Sequence, residues 1–277
     1  MLPTLPRTRR MTALGLVLIG TGTTACSISR SEEIQLGRRY AAQINRELPI
    51  VEDAAVNRYI NLLGDRIARQ GERRLDYSFY VVNIDAVNAF AIPGGFIYIN
   101  RGLIEETDNL AELAGVIAHE VGHVEERHSV EQIERMQRAN LGLSLAYILL
   151  GRAPGGLERA AIQVGGAAIF ASYSREAESE ADFVAIPLLV AAGINPTGLL
   201  TFFKDLLEQR ERRPGVIEQW FSTHPLTEDR IAATQAEIRE IPETTLRDLI
   251  VNTEQYEEMK ARLRRYPPPP PEFRVER

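Results

Sequence analysis

Cysteine is nearly absent from this chain of 277 residues: Cys26 is the only one, so no disulfide can form within it. Lysine is almost as scarce, with Lys204 and Lys260 alone among the basic residues and arginine supplying the rest. The net charge of −6 leaves no basic footprint of the kind that draws nucleic acid, so no nucleic-acid partner is expected. Long apolar runs are missing as well. The stretches "LGLSLAYILLG" and "AAIQVGGAAIFA" fall short of the roughly 20 residues that span a bilayer. They read as buried core helices in preference to a surface that dips into lipid. No repeat of about 34 residues recurs, which argues against an array of tetratricopeptide type. Histidine occurs at four positions only, His119, His123, His128 and His224, and that scarcity makes their spacing informative.

What the chain does have begins at its N-terminus. Arg7, Arg9 and Arg10 precede "MTALGLVLIGTGTTAC", a short run of apolar and small residues that stops at Cys26. A basic segment, an apolar segment and small residues before a break describe a signal peptide over residues 1–25. The placement of the cysteine resembles the lipobox of bacterial lipoproteins, although Thr23 stands where leucine is usual. A plain signal peptide with an incidental cysteine is the alternative. The resemblance implies lipidation at Cys26, a membrane anchor, and residence on the periplasmic face. Ser27, in place of an aspartate, favours the outer membrane.

Residues 26–265 read as one mostly helical α+β domain with a small β-sheet, and 266–277 as a Pro-rich tail. Helices are expected over 31–48 and 51–70, the second with Val56, Ile60, Leu63 and Ile67 on one face. "DYSFYVVNI" (76–84) is rich in aromatic and β-branched residues and reads as a strand. In "NAFAIPGGFIYINRGLI" (88–104), Pro93-Gly94-Gly95 separates two apolar runs, a hairpin or tight-bend signal. A long helix should start near Asp108. Later helices are expected over 175–192, 196–209 and 225–238, with one more ending near Arg265. "YPPPPPEFRVER" then reads as a polyproline extension without a core of its own, open to a protein partner.

The chemistry concentrates in "AGVIAHEVGHVEERH" (114–128). On a helix, positions four apart share a face, so the imidazoles of His119 and His123 can reach one ion. Glu120, one residue round, can accept a proton from water at that ion. A catalytic zinc wants a third protein ligand, and "SYSREAESEAD" (172–182) crowds Glu176, Glu178, Glu180 and Asp182 into one segment. Glu178 and Asp182 share a helical face, so one carboxylate can bind while the other orients a histidine. A solvated acidic face is the bland alternative. His128 reads as structural or supporting. Gly122 reads as a position where another element packs closely.

Four motifs, "NAFAIPGG", "HEVGH", "ESEAD" and "THPLTEDRI" (223–231), follow one another in an order that resembles the HtpX-like and CAAX-prenyl-protease-like zinc metallopeptidases, a gluzincin family. The similarity covers roughly residues 30–240. It implies a zincin-like fold, peptide-bond hydrolysis at one zinc ion, Glu178 as the third ligand, and Asp182 as the aspartate behind a ligand. Relatives of HtpX type carry transmembrane helices, so the chain looks more like an exported lipoprotein branch. His224 matches a histidine near the family's active site. It could stabilise the oxyanion, occupy the open zinc position at rest, or merely cap a helix beginning at Pro225. Arg230 matches a downstream arginine that could hold the oxyanion or a carboxylate; a surface salt bridge is the alternative. The resemblance also favours Asn88, Ala89, Phe90, Ala91, Gly94 and Gly95 as an extended edge to which a substrate strand adds, over an ordinary buried hairpin. Unfolded or flexible proteins are then the expected substrates and envelope quality control the expected role. A zinc-stabilised chaperone with latent cleavage and a metal-free structural lipoprotein are the rival readings.

Overall fold

The computed structural model describes residues 28–139 and 172–275. Cys26 with its leader and the two apolar runs at 141–151 and 160–171 lie outside the described residues.

Local sequence sets where each element starts. Ser29 caps α1 (Arg30–Glu47): its hydroxyl accepts from the Glu32 N–H, and the Glu32 carboxylate reaches back to the Ser29 N–H at 2.8 Å. Asp53 caps α2 (Ala54–Ala68), whose Val56, Ile60, Leu63 and Ile67 are all buried, as their spacing predicts. The aromatic and β-branched segment forms β1 (Ser78–Val82). The runs flanking Pro93-Gly94-Gly95 form a hairpin, β2 (Ala89–Ile92) and β3 (Phe96–Asn100). Gly94 and Gly95 supply its bend with φ of 83° and 90°.

The sheet order is β1-β3-β2, with β3 parallel to β1 and antiparallel to β2, so β2 lies on an edge. Alternation sends the two faces to different neighbours. Ala89, Ala91, Ile97 and Ile99 join the main core, while Phe90, Ile92 and Tyr98 join a smaller core under α1.

Asn100 then starts a short helix, α3 (Arg101–Glu106), where the sequence reads as a continuing apolar run. Asn109 opens α4 (Leu110–Glu125) by accepting from the Glu112 N–H, and every residue from Leu110 to Val124 is buried. A helix buried all round belongs at the centre of a domain. Arg127, with φ of 60°, reverses the chain into α5 (His128–Ala139). α6 (Arg175–Ala191) and α7 (Thr197–Arg212) pack most extensively on α4. Gly122 permits that closeness: a Cβ there would meet the Ala181 carbonyl oxygen of α6 at 2.7 Å.

The C-terminal third departs from expectation. Pro214–Thr223 forms α8, which the sequence reading passes over because Pro-Gly looks like a break. Pro214 instead occupies the first helical turn, where a missing N–H costs nothing. α9 is Glu228–Arg239 and does not begin at Pro225, because Thr227 supplies the cap. The last stretch divides into α10 (Glu243–Asp248) and α11 (Glu254–Arg264). The tail is docked, not free. Arg101 donates to the Tyr266 and Pro267 carbonyls at 3.2 and 2.9 Å, and Phe273 and Val275 pack against the smaller core.

Candidate metal centre

The i, i+4 spacing on α4 brings the Nε2 atoms of His119 and His123 to 3.0 Å from each other. α6 supplies Glu178 from across the interface that Gly122 and Ala181 share. Its Oε1 lies 3.3 Å from His123 Nε2 and its Oε2 3.6 Å from His119 Nε2. His224, at the C-terminal end of α8, adds Nδ1 at 3.4 Å from His119 Nε2 and 3.0 Å from Glu178 Oε1. All four side chains are fully buried. His224 is thus a C-terminal residue of one helix and does not cap the next.

Ligands at about 2.0–2.1 Å from a tetrahedral ion stand about 3.3–3.4 Å from one another. The observed separations bracket that value, and the four donor atoms all lie within 4.8 Å of one another. Hydrogen bonds alone do not account for the cluster, since His119 Nε2 has one hydrogen at most to share among three neighbours. Imidazole nitrogens with a carboxylate form a donor set suited to zinc and to other divalent transition metals. These residues therefore fit one metal ion.

A surrounding layer of contacts holds the donors. Asp182 Oδ1 sits 2.8 Å from His119 Nδ1, close but not aligned as a good hydrogen bond. Arg230 is buried, and its Nε and Nη2 grip the two Asp182 oxygens at 2.8 Å each. Its Nη1 reaches Glu178 at 2.5 Å and the Pro225 carbonyl at 3.0 Å. Of the roles weighed for Arg230, this geometry matches the one that holds a carboxylate and not the surface salt bridge. The guanidinium is buried, and its donors are committed to the ligand carboxylate and its neighbour. Two aromatic rings escaped the sequence reading. Tyr173 stacks on His123 with 3.9 Å between ring centres, and Trp220 stacks on His224 at 4.6 Å. The usable signal was spacing: Trp220 lies four residues before His224, on the same helical face.

The electrostatics separate the two glutamates. Burial raises the Glu120 carboxyl above its ordinary range, and neither oxygen has a hydrogen-bond partner. The Ala91 N–H faces that carboxylate without closing a well-formed bond. Burial also works to raise Glu178, but the His224 charge and hydrogen bonds from His123 and His224 outweigh it and hold Glu178 well below the carboxylate range. Burial pushes His123 well below the histidine range, which leaves a neutral imidazole. For His224, burial is overcome by Glu178 and Glu120, and the ring is pushed up to about 8. Glu178 stays an anion while Glu120 is the group ready to exchange a proton.

The proposed substrate edge divides. Ala89 and Ala91 face the donor cluster: the Ala89 carbonyl lies 3.3 Å from His224 Nε2. Asn88 accepts from the Thr223 hydroxyl at 3.2 Å, and the Val87 N–H donates to the Val216 carbonyl at 2.9 Å. So α8 and His224 cover the free side of β2, and all of β2 is buried. Phe90 points the other way and stacks on Tyr98 at 4.9 Å, because side chains alternate along a strand. Gly94 and Gly95 sit at the hairpin tip instead of beside the donors. The Gly94 N–H donates to Glu33 at 3.3 Å, and Gly95 accepts from the Ser78 N–H at 2.9 Å. The edge as read from sequence is therefore shorter, and covered.

Two helical histidines, a glutamate from a second helix and a further buried carboxylate, Glu120, beside them define a metallopeptidase domain of HExxH type. Comparison with known proteins agrees: the profile of peptidase family M48 matches residues 52–238, and the chain belongs to that family. It is 34% identical over 223 residues to the beta-barrel assembly-enhancing protease of Escherichia coli (strain K12), which covers 76% of this chain and 45% of that protein. The mitochondrial metalloendopeptidase OMA1 of Schizosaccharomyces pombe is 29% identical over 165 residues, 60% of this chain and 48% of OMA1. The metalloprotease YcaL of Escherichia coli (strain K12) is 31% identical over 161 residues, 56% of this chain and 59% of YcaL. The chain thus spans under half the length of the first of these relatives.

Proposed function

We propose that this protein is a zinc-dependent endopeptidase that cleaves unfolded or flexible proteins in the bacterial envelope. The observation that carries the reading is the buried Glu120 carboxylate, held by no hydrogen bond and 3.5 Å from His224 Nε2, beside four groups that could ligate a metal. His119, His123 and Glu178 would hold the ion, which when bound polarises the scissile carbonyl and makes water easier to deprotonate. Glu120 accepts the proton of the attacking water and delivers it to the leaving amine nitrogen as the C–N bond breaks. Burial has raised its proton affinity, which suits both halves of that transfer. Asp182 and Arg230 keep His119 and Glu178 in place.

His224 fits a resting arrangement. Its Nδ1 takes the fourth corner of the cluster, and its Nε2 hydrogen occupies the Ala89 carbonyl. Outward movement of His224 with the end of α8 would free a corner for water and the β2 edge for a substrate strand. Displaced, the imidazole is also near enough to donate to the oxyanion. Recognition through main-chain pairing favours extended segments over a particular side-chain sequence. The covered edge equally supports the second reading, a zinc-stabilised chaperone whose cleavage is latent.

Lipidation at Cys26 would tether the domain to the periplasmic face of a membrane, with the outer membrane favoured by Ser27. No described helix is long and apolar enough to cross a membrane. The naming of relatives for β-barrel assembly supports a quality-control role in the envelope. The docked Pro-rich tail offers its outer side to a protein partner.

The test is casein cleavage by the purified chain. A chelator should abolish it and added zinc restore it, and Glu120→Gln should keep zinc and lose cleavage. Wild-type cleavage by pure Glu120→Gln protein would overturn the assignment, and a zinc-loaded wild type inert towards every unfolded substrate would favour the chaperone reading.

A further inference from the structure

His128 stands outside the donor cluster, yet it is the group to which His123 presents its second nitrogen. His123 Nε2 faces His119 and Glu178 and is the atom the ring would give to an ion, so with the ion bound the hydrogen of the neutral ring belongs on Nδ1. That Nδ1 lies 2.9 Å from His128 Nδ1, and His128 Nε2 lies 3.0 Å from Glu180 Oε2. Two facing ring nitrogens hold one hydrogen between them. If His123 donates, His128 must accept through Nδ1 and carry its own hydrogen on Nε2, where the Glu180 carboxylate receives it. A carboxylate cannot donate when ionised, so Glu180 fixes the whole row from its outer end. The row runs from a buried ring to a surface carboxylate: the His128 side chain is 3% exposed and that of Glu180 62%.

The chain is bent to make this row. Arg127 adopts φ of 60°, a conformation that costs a residue with a side chain on the order of 1 kcal/mol. That reversal is what turns the first residue of α5 back towards α4. Arg127 is held in it by Glu33 at 3.1 Å and the Ile28 carbonyl at 2.5 Å, and Glu33 is itself gripped by Arg73 at 2.8 Å through both oxygens. Tyr173 lies flat against the His123 ring and closes off its face.

We propose that His128, anchored by Glu180, is a positioning residue that fixes the tautomer and ring orientation of His123 so that Nε2 is presented to the metal. The proposal rests on the reading of His123 as a ligand.

The test measures zinc affinity by chelator competition, the absorption spectrum of the cobalt-loaded protein, and kcat and KM on a flexible peptide, all on the full chain. His128→Leu should weaken zinc binding ten- to a hundredfold, shift the cobalt spectrum and leave KM unchanged. His128→Asn, whose amide oxygen can replace Nδ1 as the acceptor, should recover most of the affinity and the spectrum. Glu180→Gln should show a smaller loss in the same direction. Wild-type affinity and spectrum in His128→Leu would overturn the proposal, and so would equal losses in His128→Leu and His128→Asn. His123→Ala separates the two levels of the argument: full zinc affinity there would defeat the ligand reading itself.

Discussion

Replacing Gly122 with alanine would separate helix propensity from the geometry of the site. Gly122 has ordinary helical φ, so alanine should by itself stabilise α4 by about 0.8–1 kcal/mol. The added Cβ, however, would stand 2.7 Å from the Ala181 carbonyl oxygen and 3.0 Å from its Cα, where ordinary contact begins at 3.4 Å. The obstructing atoms are α6 backbone, so no side chain can swing aside. Overpacking of this kind costs about 1–3 kcal/mol, which outweighs the propensity gain. Net destabilisation of up to about 2 kcal/mol should follow, measured by urea unfolding of the metal-free protein. The larger effect is on the metal. Relief requires α6 to retreat by about 0.7 Å, and Ala181 lies between Glu178 and Asp182 on that helix. A shift of that size is a third of a zinc–ligand bond, so zinc affinity should fall at least about tenfold by chelator competition. A Gly122→Ala protein about 1 kcal/mol more stable than wild type, with unchanged zinc affinity, would refute the reasoning.

Arg230→Met should cost about 3–5 kcal/mol in urea unfolding, because Glu178 and Asp182 would be left as buried carboxylates without their shared cation. Arg230→Lys should rescue little, since an ammonium cannot span both Asp182 oxygens and Glu178 at once. Metal-free protein should lose stability as pH rises from about 6.5 towards 8. The folded-state proton of His224 is held up to about 8, above the ordinary 6.5, so its contribution is complete below 6.5 and is lost through 8. The loss should reach about 2 kcal/mol at most, read by thermal or urea unfolding across that interval. Glu120, also raised, works in the same direction.

Local rules carried the sequence reading a long way. Helical patterning places α1, α2, α4 and α6 within a few residues, and Pro-Gly-Gly between two apolar runs places the hairpin. The pairing of His119 and His123 follows from helical spacing, and Glu178 from a motif resemblance. What stayed hidden depends on tertiary contact. α8 opens on Pro-Gly, which reads as punctuation until Ile217 and Trp220 are seen buried against neighbouring helices. The covering of β2 by α8 pairs residues more than a hundred positions apart, such as Val87 with Val216, and no local pattern encodes it. The sequence leaves Arg230 open between an oxyanion, a carboxylate and a surface salt bridge, because its two carboxylate partners lie roughly fifty residues away. The role of His128 is decided by the φ of Arg127, and arginine is not a residue that announces a left-handed turn.

The most direct test of the account is the zinc content of the purified chain, measured by mass spectrometry after dialysis. Wild type and Glu120→Gln should each retain one ion per chain, and His119→Ala, His123→Ala and Glu178→Ala, if folded by circular dichroism, should retain essentially none. A folded wild type that holds no metal, or one whose metal survives the loss of His123 and Glu178, would contradict it.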